Sequence, residues 1–176
     1  MLIKKNEKYL FVTRGIPGAG KSYFIKTTFT DEACIVSPDE LRIQRNGIIQ
    51  TEDNGPQISQ ENAAEIWKTV FEKLNESTRK NQITVLDATS LRNKQLKKYK
   101  YIAEKNKAIF VIIDFTHLEL SECLYRNANR LPVYKRVPEE VIKRMYDRIN
   151  MPLSPTLENC IVKSTDFVLQ YENTLL

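Results

Sequence analysis

Residues 15–22 read Gly-Ile-Pro-Gly-Ala-Gly-Lys-Ser, and only Arg14 separates them from a short apolar run, Tyr9 to Thr13. The eight residues fit the pattern Gly-x-x-x-x-Gly-Lys-Ser, and a segment of helical composition follows as far as Phe29. A strand, a glycine-rich loop and a helix therefore stand in the order that a phosphate-binding loop, or P-loop, requires. The alternative is a chance glycine turn, which the agreement of motif and context disfavours.

The P-loop residues predict particular contacts with a nucleoside triphosphate. The glycines leave the backbone free to curl, so that amide N–H groups and the N-terminus of the next helix face the β-phosphate. Lys21 is expected to bridge the β- and γ-phosphates, and the Ser22 hydroxyl to complete the coordination of Mg²⁺. The expected cofactors are thus ATP and Mg²⁺. The predicted nucleotide contacts from the loop and the first helical turn are Gly15, Pro17, Gly18, Ala19, Gly20, Lys21, Ser22 and Tyr23.

The apolar pattern predicts the fold class. Short runs rich in β-branched or aromatic residues alternate with longer segments of helical spacing, which favours an α/β fold: a P-loop NTPase-type three-layer sandwich with a mainly parallel central sheet. A chain of 176 residues has room for one core, so we expect a single domain over 1–176. The predicted strands are Tyr9–Thr13, Cys34–Val36, Ile83–Leu86 and Ile109–Phe115, and the predicted helices include Ala63–Leu74 and Leu91–Asn106. Residues 45–57 are predicted to form a loop.

Composition and charge indicate where the protein works and which class of partner it binds. The apolar fraction is 41%, and no window approaches the roughly 20 apolar residues of a membrane helix, so no membrane association is expected. The N-terminus lacks the apolar stretch of a secretory signal, which favours the cytoplasm. The net charge of +5 favours a polyanionic partner, either a nucleic acid or a phosphorylated metabolite. A homo-oligomer stays open.

Other P-loop classes lack their usual motifs here. The pair Asn93-Lys94 is not followed by the aspartate that GTPases use for guanine. Motor and switch ATPases usually pair the aspartate at the end of a strand with a glutamate that activates water, and neither Asp87 nor Asp114 is followed by one. Transfer of a phosphoryl group to a substrate hydroxyl is therefore favoured over hydrolysis.

The segment Ser37-Pro38-Asp39-Glu40-Leu41-Arg42 is the candidate acceptor side. It reads as a helix start, with Ser37 as cap, proline in the first turn and Glu40 closing a capping box. Asp39 and Arg42 lie three residues apart and so share a helix face, where the carboxylate can take the acceptor's proton and the guanidinium can hold the acceptor. The alternative is that Asp39 only complements the helix dipole while Arg42 is solvated.

Two arginines are candidates for a lid over the triphosphate. Glu122, Arg126 and Arg130 recur at four-residue steps, which places both arginines on one helix face, where they can clamp phosphates. The alternative is an ordinary ion pair between Glu122 and Arg126.

Asp87 ends the strand Ile83–Leu86 and is therefore expected at the ligand-binding edge of the sheet. It is a candidate for holding Mg²⁺ through a water molecule or for binding the acceptor-side arginine. A purely structural turn at 87–89 is the alternative.

The predicted helix 91–106 is rich in lysine, including Lys94, Lys97, Lys98 and Lys100. Such a run can follow a phosphodiester backbone, but it is more often a solvated face, which is the interpretation we favour from sequence.

Together these pieces resemble the bacteriophage and bacterial polynucleotide 5'-hydroxyl kinases, a family of small P-loop kinases. The resemblance extends from the first strand to about Ile149. Besides the P-loop, the motifs that carry it are Asp39-Glu40-Leu41-Arg42, Asp87-Ala88-Thr89-Ser90-Leu91, Leu124-Tyr125-Arg126-Asn127-Ala128-Asn129-Arg130, Val137-Pro138 and Met145-Tyr146. Two departures are Ser90, where the family commonly has asparagine, and the absence of an appended phosphatase or ligase domain.

The resemblance implies a function and a set of roles. Asp39 would be the general base, Arg42 its partner toward the acceptor, and Arg126 and Arg130 the ATP-binding arginines of a lid at about 124–137. With Lys21 they would transfer the γ-phosphate of ATP to a 5'-hydroxyl end of DNA or RNA, in nucleic acid repair and in the cytoplasm of a bacterium or a phage-infected host. The alternative is a related kinase that acts on a hydroxymethylated base in DNA, a nucleoside or another small metabolite. A non-catalytic ATP-dependent switch is a third hypothesis.

Overall fold

The computed structural model describes residues 1–29, 31–53, 55–149 and 152–172. Its centre is a sheet of five parallel strands in the order β3-β6-β2-β7-β8. These strands are β2 (Lys8–Arg14), β3 (Cys34–Val36), β6 (Ile83–Leu86), β7 (Ala108–Asp114) and β8 (Ile161–Lys163). The predicted α/β class with a mainly parallel sheet is confirmed, and the strand that leads into the P-loop is the central one.

Helices cover both faces of the sheet. They are α1 (Lys21–Thr28), α2 (Pro38–Asn46), α3 (Ala63–Lys80), α4 (Asn93–Lys105), α5 (Leu120–Ala128), α6 (Glu139–Tyr146) and α7 (Pro155–Glu158), with a short 3-10 helix at Val133–Lys135. No described helix combines the length and apolar character needed to cross a membrane.

Alternation along β2 divides the core into two halves. Tyr9 and Phe11 pack on the face covered by α1, α5 and α6, whereas Leu10 and Val12 pack on the face covered by α3 and α4. Because successive strand residues point to opposite faces, a strand buried on both sides must be apolar throughout. This explains why the short apolar runs were legible in the sequence as strands.

The segment predicted as a loop at 45–57 is mostly regular structure. It contains the end of α2 and an antiparallel pair, β4 (Ile48–Thr51) and β5 (Gly55–Ile58), while Asn54 lies outside the described residues. Turn residues at 46–47 end the helix, and the β-branched residues after them favour a strand. A further parallel pair joins β1 (Leu2–Ile3) to β9 (Gln170–Tyr171).

Two isoleucines on β7 provide a matched test of this core. Ile112 is fully buried, whereas Ile109 is 40% exposed. We expect Ile112→Ala to lower the free energy of unfolding by about 2–5 kcal/mol and Ile109→Ala to lower it by roughly 1 kcal/mol or less, because only the first leaves a cavity. Urea denaturation measures both, and equal losses would contradict the burial of Ile112 in the core and the exposure of Ile109 at the start of β7.

Candidate functional site

The P-loop connects the end of β2 to the start of α1, and close packing requires glycine at two of its positions, 15 and 18. Gly18 has φ +83°, and a Cβ added there would lie 2.1 Å from the carbonyl oxygen of Cys123 in α5. A Cβ at Gly15 would lie 2.8 Å from the Cβ of Phe115, the residue that follows β7. Both contacts are too short for any side chain, so the loop is wedged between α5 and the end of β7.

Lys21 is buried at the mouth of the loop. Its Nζ donates a hydrogen bond to the carbonyl oxygen of Ile16 at 2.8 Å. Burial lowers the pKa of Lys21 to about 8; Asp87 and Asp39 counteract the effect of burial, and Arg130 adds to it. An anion that binds beside a buried lysine stabilises its charged form and raises its pKa again. A phosphate bound at this position would therefore interact favourably with Lys21.

Ser22 and Asp87 meet beside Lys21. The Ser22 hydroxyl donates a hydrogen bond to Asp87 Oδ2 at 2.7 Å, which brings the first turn of α1 to the end of β6. Mg²⁺ in phosphate-binding sites takes one or two protein oxygens and completes its shell with water and phosphate. A hydroxyl next to a carboxylate fits that requirement. Among the described residues no cluster of three or more His, Cys, Asp or Glu could hold a metal ion unaided.

Asp39 and Arg42 share a face of α2, as their spacing predicted, and the structure shows that they also pair with each other. Arg42 Nη1 donates to Asp39 Oδ1 at 3.0 Å, and Arg42 is buried while the Asp39 carboxylate is about half exposed. The helix begins as expected, with the Glu40 amide donating to the Ser37 hydroxyl. The second half of the predicted capping box is wrong, because the Glu40 carboxylate instead binds Lys135 Nζ at 2.7 Å. That ion pair ties α2 to the segment predicted as a lid.

Arg126 makes the ion pair with Glu122 that was the alternative interpretation of the sequence, and it also lies beside the P-loop. Its Nε donates to Glu122 at 2.6 Å, while its Nη1 would lie 3.6 Å from a Cβ added at Gly20. Arg126 and Arg130 line one small cavity together with the loop and Lys21. The ion pair with Glu122 and a position beside the loop are therefore compatible for Arg126. The shared helix face predicted for the two arginines is wrong, because α5 ends at Ala128 and Arg130 follows it.

The segment that carries Arg130 is held by its own hydrogen bonds. Arg130 Nη1 donates to the carbonyl oxygen of Lys135, and the Asn127 side chain both donates to and accepts from the backbone of Val137. These bonds hold residues 127–137 together as one hydrogen-bonded segment next to the loop.

Two cavities meet at the centre of the site. A phosphate-side cavity of about 600 Å³ is lined by Lys21, Ser22 and Arg130, and an acceptor-side cavity of about 440 Å³ is lined by Arg42, among others. The remaining polar and aromatic lining of the acceptor-side cavity includes Gln57, Gln60, Trp67, Tyr134 and Arg136. Pro17, Asp39 and Asp87 line both cavities. The predicted residues are thus gathered at the carboxyl ends of the parallel strands.

A buried ion pair beneath the loop was not predicted. Arg14, the last residue of β2, donates to Asp114 Oδ1 at 2.9 Å, and Asp114 is the last residue of β7. Arg14 also reaches the carbonyl oxygen of Ile149. The only signal in the sequence is that two apolar strands each end in a charged residue. The pair joins the end of β2, where the P-loop leaves the sheet, to the end of β7.

The family model described as an AAA domain, AAA_33, matches residues 10–152. The solved structures that match include a chain of the Pnkp1/Rnl/Hen1 RNA repair complex, with a TM-score of 0.58 and 21% identity over 81% of this chain and 44% of that chain. A putative kinase from Chloroflexus aurantiacus J-10-fl matches with a TM-score of 0.62 and 14% identity over 93% of this chain and 89% of that chain. A gluconokinase from Sinorhizobium meliloti 1021 matches with a TM-score of 0.51 and 16% identity, over 88% and 81%.

These structural likenesses show the fold, and this chain spans less than half of the length of the repair-complex chain. The kinases among the neighbours agree with a P-loop kinase-like fold for this chain. Because the family match runs from within the P-loop strand to residue 152, well over half of the chain, this protein belongs to the AAA_33 family of AAA domains.

Proposed function

We propose that this protein is an ATP-dependent polynucleotide 5'-hydroxyl kinase. The observation that carries the proposal is the position of Asp39 on the wall that the phosphate-side and acceptor-side cavities share. A carboxylate at such a junction can face a hydroxyl group in one cavity and the terminal phosphate in the other. This is the geometry that in-line transfer to an alcohol needs.

The side chains divide the work of phosphoryl transfer. Asp39 accepts the proton of the acceptor hydroxyl while the hydroxyl oxygen forms a bond to the γ-phosphorus of ATP. The bond between the γ-phosphorus and the β–γ bridging oxygen breaks at the same time, and ADP leaves. Arg42 orients Asp39 and the acceptor. Lys21, Arg126 and Arg130 neutralise the charge that develops on the phosphates, with residues 124–137 as the lid. Ser22 and Asp87 would hold Mg²⁺, which supplies further charge neutralisation.

The lining of the acceptor-side cavity supports a nucleotide as acceptor. Trp67 and Tyr134 offer aromatic rings, and Gln57 and Gln60 offer amides with both donors and acceptors. Arg136 adds a cation that suits a phosphodiester. The likeness to a chain of an RNA repair complex supports a strand end as the acceptor and repair as the role.

A panel of acceptors tests the proposed function directly. With γ-labelled ATP and Mg²⁺, we expect label on 5'-hydroxyl oligonucleotides and none on 5'-phosphorylated ones. Label confined to hydroxymethylated duplex DNA, to nucleosides or to sugar acids such as gluconate would instead support the related-kinase alternatives. Binding of ATP without any labelled acceptor would support the non-catalytic switch.

The base assignment predicts the behaviour of Asp39→Asn. We expect its turnover to fall by about 10²–10⁴-fold, because the amide cannot accept the proton, while ATP affinity stays within about threefold. Lys21→Ala is expected to lower both turnover and ATP affinity. Asp31→Asn, a change of the same kind at an exposed site, is the control. Turnover of Asp39→Asn that matches the control would rule out the base assignment.

The lowered pKa of Lys21 predicts proton uptake on nucleotide binding. Near pH 8 about half of the free protein carries a neutral Lys21, and a bound triphosphate raises this pKa toward its ordinary value or above. Binding should therefore take up a fraction of a proton at pH 8.5 and less at pH 7. Calorimetry in buffers of different ionisation enthalpy measures the uptake. Lys21→Arg should abolish it because arginine stays protonated, and undiminished uptake in that variant would contradict the assignment.

A further inference from the structure

A shallow groove of about 710 Å³ lies on the outer surface where α3 meets α4. We call it the lysine groove and define it by Phe71 of α3 and Lys94, Lys97, Lys98 and Tyr101 of α4. The four residues from α4 recur at steps of three and four, which places them on one face of the helix. The catalytic roles proposed above use none of these side chains.

The three lysines of the groove lack carboxylate partners among the described residues. Lys98 Nζ lies 5.3 Å from the centre of the Phe71 ring, and no ion pair within the described part of the chain involves Lys94 or Lys97. Lys100 on the same helix provides the contrast, since it binds Glu104. Like charges at three- and four-residue spacing repel one another, so this face is stabilised by an arriving polyanion.

The groove also presents aromatic rings. Tyr101 is 65% exposed, and Phe71 is half-buried at the floor. Lysines beside exposed rings match the needs of a single strand of nucleic acid, whose phosphates require cations and whose bases stack on rings. An acidic peptide would use the lysines and leave the rings without a role.

The lysine groove adjoins the acceptor-side cavity. Trp67 lines that cavity, and its ring centroid lies 6.2 Å from that of Phe71, one helical turn further along α3. On the other side, α4 begins at Asn93, shortly after Asp87–Thr89 in the cavity wall. The groove then continues for about 10 Å from Lys94 to Tyr101 along α4. This length accommodates roughly two or three nucleotides.

We propose that the lysine groove binds the single-stranded nucleotides that follow the 5'-hydroxyl end held in the acceptor-side cavity. The inference rests on the proposed function and names the strand's path away from the site. It favours the phosphodiester-binding interpretation of the lysine-rich helix over the solvated-face one, because these lysines lie beside the exposed Tyr101 ring and near the acceptor-side cavity.

The lysines are tested with the triple variant Lys94→Gln, Lys97→Gln, Lys98→Gln. Its matched control is Lys5→Gln, Lys105→Gln, Lys107→Gln, which removes the same charge at the opposite edge of the sheet, where β2 and β7 begin. Binding of a 3'-labelled single strand of about twelve nucleotides with a 5'-hydroxyl is followed by fluorescence anisotropy. We expect about tenfold weaker binding than in the control at low salt, and a salt-dependence slope smaller by about 2.

Chain length separates the groove from the catalytic cavity. For a 5'-hydroxyl dinucleotide, which fills only the acceptor-side cavity, we expect the KM of the triple variant to stay within about twofold of the control. For the longer strand the KM should rise by about tenfold while kcat stays unchanged. Equal effects on both acceptors, or no effect on the longer strand, would overturn the proposal.

Tyr101 distinguishes a nucleic acid from an acidic peptide. Tyr101→Ala is expected to weaken binding of the longer strand by about fivefold or more, and Tyr101→Phe to preserve it, because stacking needs the ring alone. Since Tyr101 is largely exposed, thermal unfolding should show little change in either variant. Unchanged binding in Tyr101→Ala, together with equally tight binding of polyglutamate, would overturn the proposal in favour of an acidic protein partner.

The two proposals fail in different ways. If oligonucleotides are phosphorylated but the triple variant binds and reacts like its control, the groove assignment is wrong and the proposed function stands. If no oligonucleotide is phosphorylated while the triple variant still loses strand binding, the proposed function is wrong and the groove remains a nucleic acid surface.

Discussion

The structure depends on the close approach of the P-loop to helix α5. At Gly18 the backbone passes so near the Cys123 carbonyl that no side chain fits, and its positive φ favours glycine as well. Through this contact α5, the helix that carries Arg126, packs directly against the loop. The loop and Arg126 therefore belong to one packed unit, and the position of the loop determines where the arginine can meet a phosphate.

Charge is distributed unevenly around that unit. Lys21, Arg126 and Arg130 gather on the phosphate side, while the Asp39 and Asp87 carboxylates stand on the wall between the cavities. Burial keeps the pKa of Lys21 below its ordinary value, so Lys21 is more readily neutral in the free site. This reduces its repulsion from the nearby arginines when no anion is bound. Under the proposed function, the Asp39 carboxylate on this wall would serve the transfer of a phosphoryl group to an alcohol.

Much of the site was predictable because its parts are local or follow from the parallel sheet. The P-loop is one contiguous motif, Asp39 and Arg42 share a helix face, and parallel strands bring the residue after each strand to one edge. Long-range contacts between charged groups were not predictable. The Glu40–Lys135 ion pair spans 95 residues, and the Arg14–Asp114 pair spans 100. The link from Trp67 to the lysine groove also required coordinates, since sequence alone favours a solvated face for that helix.

The proposed function requires that Asp39 faces the acceptor hydroxyl opposite the γ-phosphate. A crystal structure with a non-hydrolysable ATP analogue, Mg²⁺ and a 5'-hydroxyl oligonucleotide measures this directly. We expect a carboxylate oxygen of Asp39 within about 2.6–3.2 Å of the 5'-oxygen, with that oxygen in line with the γ-phosphorus. A 5'-oxygen bound away from Asp39, or an Asp39 side chain turned to solvent in that closed complex, would contradict it.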